Sequence, residues 1–150
     1  MAQTVRQSLG KLGESLVTRL SCPRCKREKV LRRLPANFKC ADIICDFCGY
    51  LAQVKTSTQS DVDVLPSSIL GAAWGPQEER MAAGIYFPPF IVLADQSRKE
   101  KAVYFLPSDL QTRSMFVKRN PLSSDAKRAG WTGYMIKLTL SGTHSPVRLL

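Results

Sequence analysis

Two cysteine pairs, Cys22-Pro-Arg-Cys25 and Cys45-Asp-Phe-Cys48, with nineteen residues between them, constrain this chain more than any other feature. A doubled C-x2-C is the pattern of a tetrahedral zinc site, because each pair offers two thiolates from one tight turn. Pro23 and Gly49 suit such turns. The set contains no histidine and leaves no open position, so a structural zinc is expected on Cys22, Cys25, Cys45 and Cys48, in a unit of about residues 21–49. Such a metal contributes folding energy directly. Buried cysteine without metal is the alternative. Cys40, the fifth cysteine, is expected to be a small core residue. The odd cysteine count and the absence of a signal-peptide core argue against a disulfide framework and for the cytoplasm.

The formal net charge is +10. Lysines and arginines cluster at 26–33, 98–101, 118–119 and 127–128. A field of this sign attracts polyanions and releases their counterions, so nucleic acid is the natural partner; a solvated basic surface, or one facing an anionic membrane, is the plain alternative. No apolar run is long enough to span a bilayer, the longest being near Tyr86 to Ala94, so no membrane role is expected.

A length of 150 residues suits one domain with one core. Val5, Leu9, Leu12, Leu16 and Leu20 predict an amphipathic helix over 3–20, in which Gly10 and Gly13 would permit close packing on a sheet or a ligand. Strands are predicted at 28–34, 37–44, 50–56, 90–93, 102–106 and 134–140. Residues 66–83 read as helix, broken at Gly75-Pro76, and 108–116 as helix or loop. The order implies an α/β or α+β fold with a mixed central sheet.

Asp42 stands near the end of one predicted strand, and Gln53 and Lys55 stand on the next. Alternate residues of a strand share a face, so Gln53 and Lys55 project together while Val54 points to the core. A carboxylate, a second oxygen ligand and the backbone carbonyl of Val54 can hold Mg²⁺, and a nearby lysine can orient water and offset charge.

An aspartate followed by (E/Q)-x-K on the adjacent strand resembles the PD-(D/E)XK nucleases. Ala41 stands where proline is usual, and Gln53 where an acid is usual, which removes a charge from the metal site. Interleaving with the cysteines narrows the resemblance. Cys22-Pro-Arg-Cys25, Ala41-Asp42-Ile-Ile-Cys45-Asp-Phe-Cys48 and Gln53-Val-Lys55 together resemble the catalytic domain of the DpnI and Dam-replacing family of restriction endonucleases. Pro121 to Gly133, with Lys127-Arg128-Ala129-Gly130-Trp131, resembles that family's basic RAGW-x-G segment. Gly10-Lys-Leu-Gly-Glu14 looks like its first helix, which makes Glu14 a candidate extra metal ligand, with a plain surface carboxylate as the alternative.

The resemblance implies a PD-(D/E)XK core with helices flanking a mixed sheet and an inserted zinc knuckle of four cysteines. It implies a structural Zn, a catalytic Mg and a type II endonuclease acting on duplex DNA at GATC sites with N6-methyladenine. Asp42, Gln53 and Lys55 would be catalytic; Lys127, Arg128 and Trp131, with Arg32 and Arg33, would contact DNA. Trp131 as a packing aromatic, and Arg32 and Arg33 as a solvated face, are the alternatives. The family's winged-helix domain is not expected within 1–150, which are read as one nuclease domain, and a partner chain or dimer would then help to read the site. A non-catalytic DNA-binding zinc protein, a repair or branch-resolving nuclease, and a zinc-ribbon interaction module are the competing readings. His144, the sole histidine, argues against histidine-based nuclease centres.

Overall fold

The computed structural model describes residues 2–71, 73–119, 132–138 and 146–150. In chain order these form α1 (Val5–Val17), β1 (Leu31–Arg33), β2 (Ile43–Cys45), β3 (Leu51–Thr58), β4 (Ser68–Gly71), α2 (Trp74–Ala82), β5 (Pro89–Ala94), β6 (Lys101–Phe105), two 3-10 turns (Ser108–Leu110, Arg113–Met115), β7 (Phe116–Lys118), β8 (Tyr134–Lys137) and β9 (Val147–Arg148). Six strands make a mixed sheet in the order β1-β2-β3-β5-β6-β9, and three more make a second sheet in the order β4-β8-β7. The expected mixed central sheet with helices is therefore observed. No helix of the described residues is long and apolar enough to cross a membrane.

Helix α1 begins at a reciprocal cap. The Thr4 hydroxyl accepts from the Gln7 amide at 3.2 Å and the Gln7 side chain accepts from the Thr4 amide at 2.9 Å. Among the described residues, the one parallel pairing of the main sheet joins β3 to β5, with Gln53 opposite Pro89 and Lys55 opposite Ile91. A parallel neighbour requires a long crossover, which β4 and α2 supply. All six residues of β5 are buried because both faces of the sheet are covered. Phe90 and Val92 pack with Val17, Leu31, Ile43 and Val103 on one side. Ile91 and Leu93 pack with Ile69, Trp74, Phe116 and Ile136 on the other.

Two local expectations are corrected. The 37–44 segment is not a continuous strand; Cys40 takes a left-handed φ of 66°, and strand pairing starts only at Ile43. Gly75-Pro76 does not break a helix over 66–83: β4 occupies the first part, and α2 begins at Trp74 with Pro76 in its first turn, where a missing N–H goes unused. Residues 108–116 are two 3-10 turns leading into β7.

Gly13 and Gly10 behave differently. A Cβ on Gly13 would run into the Thr56 side chain of β3, whereas one on Gly10 would meet nothing within 4 Å. Overpacking of this kind costs about 1–3 kcal/mol. A Gly13→Ala protein is therefore expected to have a clearly lower urea midpoint at unchanged slope, while Gly10→Ala holds or gains stability through helix propensity. Equal midpoints for the two variants would contradict the close α1–β3 contact.

Candidate functional site

The four paired cysteines converge. Their Sγ atoms all lie within 4.8 Å of one another, with Cys22 to Cys48 at 3.7 Å and Cys25 to Cys45 at 3.8 Å. Four sulfurs at about 2.3 Å from one centre, arranged tetrahedrally, stand about 3.8 Å apart, so this group could hold a metal ion. The two turns are built alike. Lys26 N–H bonds to the Cys22 carbonyl and Gly49 N–H to the Cys45 carbonyl, both at 2.9 Å, and both residues are left-handed, at φ 63° and 76°. Cys22 and Cys45 are fully buried in the core beside Ile43 and Ala52. Burial pushes the Cys22 thiol up to about 12. For Cys45 burial acts in the same sense, but backbone amides of Cys48 and Phe47 and the neighbouring thiols outweigh it and bring it down to about 7. Cys40 stands apart from the group and is half-buried, not core.

The second knuckle turn folds β2 back onto β3, with Ile43 opposite Ala52. Asp42 is thereby carried to the point where β2 ends and β3 runs on. Its amide donates to the Ala52 carbonyl at 2.9 Å, and its Oδ2 accepts from the Val54 amide at 2.8 Å. The carboxylate therefore continues the ladder that β2 has stopped supplying. Gln53 N–H points instead to β5, bonding to the Pro88 carbonyl at 2.9 Å. Odd residues of β3 thus face β5 with their backbone, and Val54 turns both its N–H and its C=O toward the Asp42 edge.

The side chains divide by register. Gln53 and Lys55 share the face of Ile91, toward α2 and the second sheet. Val54, opposite Phe90, packs on the α1 side. Lys55 is partly accessible as a residue, yet burial of its ammonium lowers its pKa, with the charge of Asp42 and then Cys40 acting the other way. Its Nζ stands 5.8 Å from the Tyr134 ring centre.

Glu14 approaches from α1. Burial raises its pKa first, and the charge of Asp42 raises it further, against Arg33 and Lys11. The Asp42 charge thus reaches Glu14 at this strand edge, an arrangement that fits a divalent cation. Lys55 lines two adjoining hollows. One, of about 410 Å³, includes Glu14 and Val54; the other, of about 370 Å³, includes Asp42, Gln53, Cys40 and Tyr134. Arg33 reaches Glu14 at 3.9 Å and donates to the Lys11 carbonyl at 3.1 Å. Arg32 pairs with Asp46 at 3.1 Å on the exposed edge strand β1. Lys127, Arg128 and Trp131 lie outside the described residues.

Two residues not singled out from the sequence belong to this site. Gln77 on α2 is buried, and its Oε1 accepts from Gln53 Nε2 at 3.0 Å and from the Tyr134 hydroxyl at 3.4 Å. Tyr134 sits over Gly71, where any Cβ would run into its ring. The signal for Gln77 was its spacing. It falls between Trp74 and Met81 at steps of three and four, a polar residue in an otherwise apolar stripe.

Comparison with known proteins bears on what this arrangement is for. The DpnI family model, described as the Dam-replacing family, matches residues 2–149. The chain belongs to this family. The chain is also similar to NADH-ubiquinone oxidoreductase chain 4 of Scyliorhinus canicula, at 34% identity over 93 residues, 56% of this chain and 20% of that protein. The match thus spans about a fifth of that protein's length, and so partial a likeness carries no argument about activity here.

Proposed function

We propose that this member of the Dam-replacing family is a Mg²⁺-dependent endonuclease that cuts duplex DNA at GATC sites carrying N6-methyladenine, on a scaffold stapled by one structural Zn²⁺. The observation that supports the reading is the placement of Asp42 on the Val54 amide at the edge of β3, with Lys55 lining both the hollow of Glu14 and Val54 and the adjoining hollow of Asp42 and Gln53. Asp42 keeps one oxygen on the Val54 amide, and its other oxygen would hold the cation. The Val54 carbonyl faces the same edge, and Glu14 and the Gln53 amide oxygen complete the protein's share. When bound, Mg²⁺ would polarise the scissile phosphoryl oxygen and lower the pKa of its water.

Lys55 then has a defined task. It is held near Asp42 in a poorly solvated position, where a positive charge acts strongly on developing negative charge and can orient the attacking water. Gln53 brings an oxygen without a charge, so a weaker hold on Mg²⁺ is expected than an acid would give. The basic surface would steer DNA in, with Arg33 close to the site and Lys127, Arg128 and Trp131 as further contacts. Zinc is assigned to the four thiolates because a closed, all-sulfur tetrahedral set suits it. Residues 1–150 act as one nuclease unit in this reading.

The test is a digest of one plasmid prepared with and without adenine methylation at GATC, in Mg²⁺. Discrete fragments from the methylated DNA alone are expected. Cutting of both would remove the methyl specificity and retain the nuclease. Binding without cutting would favour the non-catalytic reading, for which the neutral Gln53 is the specific ground.

A further inference from the structure

The buried amide of Gln53 has two ways round, and only one of them gives the site an oxygen. We infer that Gln77 is a positioning residue whose Oε1, by accepting from Gln53 Nε2, locks the Gln53 amide with its carbonyl oxygen on the metal side. The inference rests on the reading of Gln53 as a metal ligand and deepens it.

Gln53 is 3% exposed and Gln77 is 3% exposed, so water is not there to satisfy whichever group is turned inward. Gln53 Nε2 donates to Gln77 Oε1 at 3.0 Å. An amide has its donor and acceptor on opposite prongs, so this bond directs Gln53 Oε1 away from Gln77. The reverse orientation would set two carbonyl oxygens against each other, at the cost of a buried, unsatisfied pair. Gln77 is held in turn by a second donor. The Tyr134 hydroxyl reaches the same Oε1 at 3.4 Å, and Tyr134 is fixed by the Trp74 ring at 5.8 Å and by the space left at Gly71. Gln53 Nε2 and the Tyr134 hydroxyl therefore converge as donors on the one oxygen Gln77 Oε1, which leaves Gln53 Oε1 for the hollow that also holds Asp42 and Lys55.

A glutamate would not need this device. Its two oxygens are equivalent, so a half-turn of the carboxylate changes nothing. An orienting glutamine is needed where the ligand is an amide, and that predicts a dependence between positions 53 and 77 that simple packing would not produce.

The test is a double-mutant cycle on zinc-loaded protein, read as Mn²⁺ affinity by titration and not only as DNA cutting. Gln77→Met keeps the volume and removes the acceptor. It is expected to weaken Mn²⁺ binding by about 10–100-fold, as loss of a ligand-orienting partner does. In the Gln53→Glu background the same Gln77→Met change should cause no comparable loss. Tyr134→Phe, which leaves Gln77 in place, should give a smaller loss in the Gln53 background. Thermal melts of each variant identify any that fails to fold, and Tyr134→Phe then carries the comparison. Equal losses in both backgrounds would make Gln77 merely structural and overturn the inference, as would no loss in either. Wild-type protein that binds no Mn²⁺ would overturn it together with the metal reading of Gln53. Wild-type protein that binds Mn²⁺ but never cuts DNA would sink the nuclease proposal alone, with the cycle still deciding the role of Gln77.

Discussion

A Lys55→Met protein is expected to cut DNA roughly 10²–10⁴-fold more slowly than the wild type while folding at least as well. The two halves of that expectation have one cause. Lys55 is placed on β3 beside Asp42, where burial disfavours its charged form. The charge is useful there because few water dipoles screen it, and it is unfavourable to stability for the same reason. Its folded pKa lies below the unfolded value of 10.5. Between those two values the unfolded chain holds the proton and the folded chain does not, so wild-type stability rises with pH through that window. Below the folded pKa the penalty is constant, and methionine removes it. Urea denaturation near neutral pH should find the variant as stable as the wild type or more so, and the advantage should shrink as pH rises through the window. A variant that loses cutting and stability together would mean that Lys55 is a structural cation instead.

Removing the metal from the cysteine group is expected to unfold the N-terminal part of the sheet and to abolish cutting with it. Zinc held by four thiolates contributes about 10–16 kcal/mol in small zinc modules at neutral pH, comparable to the whole stability of about 5–15 kcal/mol of an ordinary domain. Strands β1 and β2 have three residues each, and their buried side chains Leu31 and Ile43 pack around Cys22 and Cys45. The same turn carries Asp42 to the β3 edge, so its loss would release the carboxylate as well. One zinc per chain should be found by elemental analysis, and a strong chelator or Cys45→Ser should collapse the thermal transition. A melting curve unchanged after complete zinc removal would contradict a structural role.

Much of this site was legible because metal chemistry and strand geometry act over short spans of chain. The spacing of Cys22, Cys25, Cys45 and Cys48 is dictated by ligand number, and the alternation of Gln53, Val54 and Lys55 by the pleat. The buried strand β5 announced itself by continuous apolar residues from Phe90 to Leu93. What stayed hidden depends on partners distant in sequence. The four residues of β4 find their place only through β8, with Ile69 opposite Ile136, and the local pattern from Pro66 onward reads as helix without that partner. The left-handed turn at Cys40 is set by the return of the chain into β2, which no local propensity of a cysteine signals. Gln77 and Tyr134 are 57 residues apart, and their meeting at Gln53 follows from the docking of α2 against β8.

The most direct test of the nuclease reading is a time course on supercoiled plasmid with the zinc-loaded protein, in Mg²⁺ and in its absence, with Lys55→Met alongside. Nicked and linear DNA should appear only with Mg²⁺ and wild-type protein. Persistent supercoiled plasmid under every divalent ion tried, with DNA binding intact, would contradict it.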